Sequence, residues 1–165
     1  MTANPTPPRS ARSEKGFDLR PPSTAETQKL TADLNDEERR ILLDHGTEPP
    51  FCGHLLANKE AGVYVCRACG LPLFASGAKF ESGTGWPSFF EAYDRRHIAA
   101  LRDVSHGMER VEIRCARCDG HLGHVFPDGP PPTGARYCLN SVSLAFVPEG
   151  AVLPDRLDRG DPRTA

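Results

Sequence analysis

Two cysteine pairs, Cys66 with Cys69 and Cys115 with Cys118, constrain this chain more than any other feature. Two residues between paired cysteines let a tight knuckle aim both sulfurs at one point, and two knuckles supply the four-thiolate cage that Zn²⁺ prefers. Residues 70–114 between the pairs exceed the usual ribbon spacing, so a long insertion lies between the knuckles. Buried thiols or a redox pair are the competing reading, but neither pair opens a helix in a βαβ pattern. A closed four-cysteine site leaves no position open for substrate. Its expected job is to staple a small β-rich core.

That core is small. The chain has 165 residues, 38% of them hydrophobic, which suits one domain of modest size. The apolar residues are unevenly spread: the first 23 residues carry five prolines, and "EGAVLPDRLDRGDPRTA" at the other end is poor in core formers. Neither end holds enough apolar surface to offset its ordering entropy, so residues 1–27 and 149–165 are expected to be disordered, with one domain over 28–148. A net charge of −2 from 20 basic and 22 acidic residues, without a long run of one sign, argues against a nucleic-acid footprint. No stretch reads as a secretory leader or a membrane span, which makes a reducing cytoplasm the expected compartment.

One helix is signalled, with Thr31 as N-cap, Leu34, Ile41, Leu42 and His45 on one face, and Gly46 at the C′ position. From Phe51 onward the pattern is β and loop. "VYVCRACGLPLF" reads as strand, knuckle and short strand, "ERVEIRC" as a half-buried strand with Val111 and Ile113 inward, and "YCLNSVSLAFV" as one long strand.

Subtracting the four paired cysteines leaves Cys52 and Cys138. A strand period of two puts Arg136, Cys138 and Asn140 on one face, where a guanidinium favours the reactive thiolate. Free cysteine is also among the most buried residue types, so a core thiol competes with a nucleophile. His121 and His124 in "GHLGHVFPDGP" follow the second knuckle, on a backbone it should rigidify, and histidine near a thiolate can donate or accept a proton. In "SGTGWPSF", glycines surround the single tryptophan, Trp86; without a following Gly-Lys-Ser/Thr this is no phosphate loop. A zinc-dependent binding module and a cysteine hydrolase using Cys138 with His124 are the rival classes.

Taken together and in order, "GTEPPF" (46–51), "GVYVCRACGLPLF" (62–74), "KFESGTGWPSF" (79–89), "RCARCDGHLGHVFPDGP" (114–130) and "RYCLNS" (136–141) resemble the methionine sulfoxide reductase B family. The resemblance covers about residues 30–148. It implies a mainly β fold of two small antiparallel sheets stapled by a structural zinc, with short amino-terminal helices. It further implies Cys138 as nucleophile, Cys66, Cys69, Cys115 and Cys118 as zinc ligands, and Trp86 on the substrate methyl group, with Thr84 and Phe126 also in contact with substrate. His121, His124, Arg136 and Asn140 match polar active-site residues and Asp128 a supporting carboxylate. The implied activity is reduction of methionine-R-sulfoxide in proteins, recycled by thioredoxin. Many members carry a resolving cysteine directly before "GWPSF"; here that stretch is sulfur-free, which leaves Cys52 as the candidate resolving thiol.

Overall fold

The computed structural model describes residues 11–164. Two short helices precede the sheets, α1 (Thr24–Ala32) and α2 (Asp36–Leu42). This corrects the single helix read from the sequence. Ser23 caps α1 and Asn35 caps α2, each in a reciprocal box with the glutamate three residues on, Glu26 and Glu38. Thr31 lies in the last turn of α1, its hydroxyl donating back to the Thr27 carbonyl at 2.9 Å. The second capping box restarts the helix where one continuous stripe was expected.

The strands are β1 (Gly62–Cys66), β2 (Pro72–Ala75), β3 (Lys79–Phe80), β4 (Ser88–Phe89), β5 (Ile98–Asp103), β6 (Arg110–Cys115), β7 (His121–Phe126), β8 (Arg136–Leu139) and β9 (Leu144–Pro148). They form a three-stranded sheet in the order β2-β1-β9 and a six-stranded sheet in the order β3-β4-β8-β7-β6-β5, with every pairing antiparallel. The core sits between the sheets. Phe89 of β4 stacks on Phe74 of β2 with centroids 4.6 Å apart and meets the edge of Tyr64 of β1 at 5.0 Å. All three rings are fully buried.

The run expected as one long strand divides into β8 and β9, which belong to different sheets. Its polar residues are the reason. Asn140, Ser141 and Ser143 are buried and bond sideways: Ser143 Oγ donates to the His121 carbonyl at 2.9 Å, and Ser141 Oγ accepts from Leu55 N at 3.3 Å. These side chains tie the backbone to segments 22 and 86 residues away in place of a ladder, where the chain passes from one sheet to the other. On β6 the alternation is also altered. Ile113 is buried, but Val111 faces outward and Glu112 is buried, held by three cationic or imidazole partners described below.

Both termini are ordered where described, which corrects the expected disorder over residues 11–27 and 149–164. Phe17 is buried edge-on against His97 and Tyr93, and Leu153 and Leu157 join the same core. Charge supplies what apolar area does not. Buried Arg117 donates to Asp161 Oδ2 at 2.6 Å and to the Asp18 carbonyl at 3.1 Å, tying both ends to the second knuckle. The expectation for residues 1–10 and 165 lies outside the described residues. Among the described residues no helix is long and apolar enough to cross a membrane.

Candidate active site and four-cysteine cluster

The two knuckles share one design. Cys66 ends β1 and Cys115 ends β6; in each turn the carbonyl of the first cysteine accepts from the residue four later, Gly70 or Asp119, at 2.9 Å. Both of those residues take positive φ, 79° and 65°. The turns face each other across the two sheets. Cys66 Sγ lies 3.6 Å from Cys118 Sγ, Cys69 Sγ lies 3.5 Å from Cys115 Sγ, and all four sulfurs fall within 4.8 Å of one another. A tetrahedral zinc with bonds of about 2.3 Å has sulfur–sulfur edges of about 3.8 Å, so this cluster can hold one with little adjustment. Arg117, between Cys115 and Cys118, donates to the Cys69 carbonyl at 2.8 Å and so ties the first knuckle to the second.

Cys138 sits on β8 between β4 and β7, in register with Ser88 on one side and His124 on the other. Its half-buried thiol lines a cavity of about 270 Å³ together with Thr84, Trp86, His124, Phe126, Arg136 and Asn140. The two backbones approach closely: a Cβ at Gly123 would fall 2.0 Å from the Cys138 carbonyl oxygen, so β7 needs glycine there. Thr84 Oγ1 is 3.9 Å from Cys138 Sγ, and Ser82 holds that hydroxyl at 2.8 Å. The Trp86 indole donates to the Glu48 carbonyl at 3.0 Å, while Asn140 Oδ1 accepts from Glu48 N at 2.9 Å. One residue, Glu48, thus fixes both the aromatic wall and the amide.

Arg136 donates through Nε to Asp128 Oδ1 at 2.9 Å and stacks over the Phe126 ring at 4.4 Å. Its charge is therefore partly committed to Asp128. Burial pushes the Cys138 thiol up, and the Thr84 hydroxyl and Arg136 only partly pull it back. Arg136 favours the thiolate, as the sequence argument expected, but burial is the larger effect.

His124 donates or accepts through Nε2 at 2.8 Å from Asp103 Oδ2 at the end of β5. Asp103 is itself held by Ser105 N at 2.9 Å and Arg110 at 3.3 Å. The Ser105 hydroxyl, then the His124 contact, keep the Asp103 carboxyl well below the usual carboxylate range, so His124 faces a permanent negative charge. With Nε2 engaged, Nδ1 is the ring nitrogen left for the cavity. His121 is elsewhere. It is buried, does not line the Cys138 cavity, and meets Glu112 Oε2 through Nδ1 at 2.6 Å, beside His45 Nδ1 at 2.7 Å on the same oxygen. Burial pushes the Glu112 carboxyl up, but Arg114, His45 and His121 outweigh it and bring it down to about 2.

Cys52 is exposed and does not line the cavity. Its neighbour Phe51 donates its N–H to the Gly85 carbonyl at 2.7 Å, beside Thr84 and Trp86. Of the residues singled out in the sequence, the structure brings Cys138, Trp86, Thr84, Phe126, His124, Arg136 and Asn140 to one cavity, while Asp128 stays outside its lining and bonds to Arg136. Sequence reasoning missed Glu48 and Asp103. For Glu48 the signal was a carboxylate inside "GTEPPF", a motif otherwise read only as a match; for Asp103 there was no local signal.

The SelR domain matches residues 34–148. Over 148 residues the chain is 66% identical to the peptide methionine sulfoxide reductase MsrB of Xylella fastidiosa (strain M23), covering 90% of this chain and 96% of that protein. It is 63% identical to the MsrB of Caulobacter vibrioides (strain NA1000 / CB15N) over 149 residues, 90% of this chain and 94% of the relative. The Escherichia coli (strain K12 / DH10B) MsrB is 55% identical over 120 residues, covering 73% and 88%. The first two matches are longer than the SelR domain match. A match over most of the chain, at this identity, makes the protein a member of the SelR, or peptide methionine sulfoxide reductase MsrB, family.

Proposed function

We propose that this protein reduces methionine-R-sulfoxide in peptides and proteins, with Cys138 as the nucleophile. The observation that carries the reading is the thiol of Cys138 in a cavity walled by Trp86 and Phe126 and rimmed by His124, Arg136 and Asn140. An apolar wall suits the sulfoxide's methyl group, and polar groups on the rim suit its oxygen.

The Cys138 proton must leave as the sulfur attacks. The thiolate takes the sulfoxide oxygen, methionine departs with the electron pair, and Cys138 becomes a sulfenic acid, the first step of the cysteine oxidation ladder. The oxygen gathers negative charge on the way and needs a proton. His124 is the donor we favour, because Asp103 compensates the imidazolium through Nε2 and leaves Nδ1 for the oxygen. His121, committed to Glu112 and outside the cavity, serves as support for β7. Cys52 then condenses with the sulfenic acid, forming a disulfide and water. Thiol–disulfide exchange with thioredoxin returns both thiols. A reducing cytoplasm suits a chain with six free cysteines.

Cys66, Cys69, Cys115 and Cys118 would hold zinc, which when bound cross-links the two sheets and, with four thiolate ligands, offers no position to substrate. Binding of the R epimer is the family expectation.

Intact mass spectrometry tests the scheme. One addition of a methionine-R-sulfoxide peptide without reductant should remove about two mass units, mapped to a Cys52–Cys138 disulfide. Unaltered thiols would overturn the activity; a stable sulfenic acid at Cys138 would keep it and remove Cys52 from the cycle.

A further inference from the structure

A second cavity, about 570 Å³, opens on the other side of the wall that bounds the Cys138 site. The dividing segment is Gly83–Trp86. Thr84 and Trp86 line the Cys138 cavity, whereas Gly83, Gly85 and Trp86 line the second, so the indole is common to both. Gly85 is required: its φ is 92°, and a Cβ there would fall 2.7 Å from Pro50 Cβ and 2.9 Å from Phe51 Cδ2. This close crossing, locked by the Phe51 N–H to Gly85 carbonyl bond, presents the Phe51 ring at the rim of the second cavity with 69% of the residue exposed. Leu56, Phe80 and Pro87 add apolar walls beside the polar Asn58, Ser76 and Ser82.

One charge of this groove is committed within the fold and two others pair with each other at its exposed rim. Lys79 Nζ donates to the carbonyls of Leu55, Leu56 and Asn58 at 2.8, 2.9 and 2.6 Å, and Lys59 pairs with Glu81 at 3.1 Å. The apolar walls formed by Phe51, Leu56, Phe80, Trp86 and Pro87 suit an apolar side chain. Its volume falls within the ordinary range for ligand sites, roughly 300–1,000 Å³. The smaller cavity, with Cys138 at its wall, takes one methionine-sized side chain, so the peptide carrying that residue must continue outside it. Trp86 makes the groove the adjoining surface.

We propose that this groove binds the substrate chain itself, taking an apolar side chain that flanks the oxidised methionine, with Phe51 as its outer wall. The inference rests on the proposed reduction at Cys138 and adds a specificity element to it.

The test uses the full chain with dithiothreitol as reductant, so that neither Cys52 nor thioredoxin limits turnover. Three substrates are compared: N-acetyl-methionine-R-sulfoxide methylamide, a peptide with the same residue flanked by leucines, and one flanked by serines. The leucine peptide should exceed the serine peptide about tenfold in kcat/KM, chiefly through KM, which corresponds to removing roughly 55 Å² of apolar surface from water at about 25 cal/mol/Å². Phe51→Ser, at an exposed position outside the core, should bring the two peptides within about twofold of each other by the same reckoning. The methylamide should be unaffected by the substitution. Equal peptide rates in the unaltered protein, or a preference that survives Phe51→Ser, would overturn the groove. A Phe51→Ser defect seen only with thioredoxin as reductant would also overturn it, because the occupant would then be the reductant. Failure to reduce the methylamide at all would instead overturn the proposed reaction.

Discussion

The molecule uses cysteine in two opposite ways within one fold. The four paired cysteines stand on turns whose geometry is local, their sulfurs face one another, and three of the four residues are buried. Cys138 stands on a strand with a cavity in front, and among the described residues no other sulfur-bearing side chain lines that cavity. In the cluster each thiol's neighbours are thiols, a set that favours metal and excludes substrate. At Cys138 the neighbours are a hydroxyl, a guanidinium, an amide and an indole, which leave the sulfur free to react. The contrast teaches that the fate of a thiol here is set by what surrounds it and by whether space is left at the sulfur.

The largest expected effect separates the two regions outright. Cys115→Ser opens the tetrahedron between the sheets, and structural zinc in comparable sites contributes about 10–16 kcal/mol of folding free energy. The variant should lack both bound metal and a cooperative thermal transition by circular dichroism; a normal transition would show that the cluster is dispensable. Cys138→Ser should do the reverse. Reductase turnover should fall by roughly 10⁴-fold or more, with metal content and melting temperature unchanged. Retained turnover would break the contrast.

Acid should act on the layer between the two regions. The Glu112 carboxyl lies at about 2 when folded, against an ordinary value of 4.5, so the unfolded chain binds the extra proton between those values. Its stabilisation is complete above about pH 5 and is lost as pH falls through 4.5 toward 2, amounting to about 3 kcal/mol. Denaturant titrations across that window check the slope, and Glu112→Gln should flatten it. A smaller effect is expected for Asp103→Asn. Without a compensating charge at His124 Nε2, kcat should drop about 10- to 100-fold while KM stays nearly constant and the melting curve is preserved. An unchanged kcat would leave His124 without the proton-donor role. Finally, because burial raises the Cys138 thiol, the rate of its alkylation should climb with pH as the thiol proton is lost, and Thr84→Val should move that rise to higher pH. A flat profile would mean that Cys138 is already a thiolate at rest.

The features legible in the sequence were those encoded over a few residues. A Cys-x-x-Cys knuckle is local, so the cluster followed from spacing, and the resemblance of five motifs carried the rest of the site. Contacts made at long range were hidden. Glu48 meets Asn140 across 92 residues, and Asp103 meets His124 across 21, each from a stretch whose own pattern is unremarkable. The division of "YCLNSVSLAFV" was missed because buried serines look like ordinary strand residues until their partners, Leu55 N and the His121 carbonyl, are known. The ends were misjudged for the same reason. Their scarcity of apolar residues was visible, but the buried Arg117–Asp161 pair that compensates for it was not.

That pair also sets an order of events during synthesis. Arg117 leaves the ribosome 44 residues ahead of Asp161. At roughly 5–20 residues per second, the guanidinium beside the second knuckle waits about 2–9 seconds for its counter-charge. Through that interval both Cys-x-x-Cys pairs already exist, while the charge lock that ties them to the carboxyl-terminal segment does not. All four paired cysteines are therefore synthesised before the charge lock can close, and of the ties on the second knuckle the one to Asp161 becomes available last.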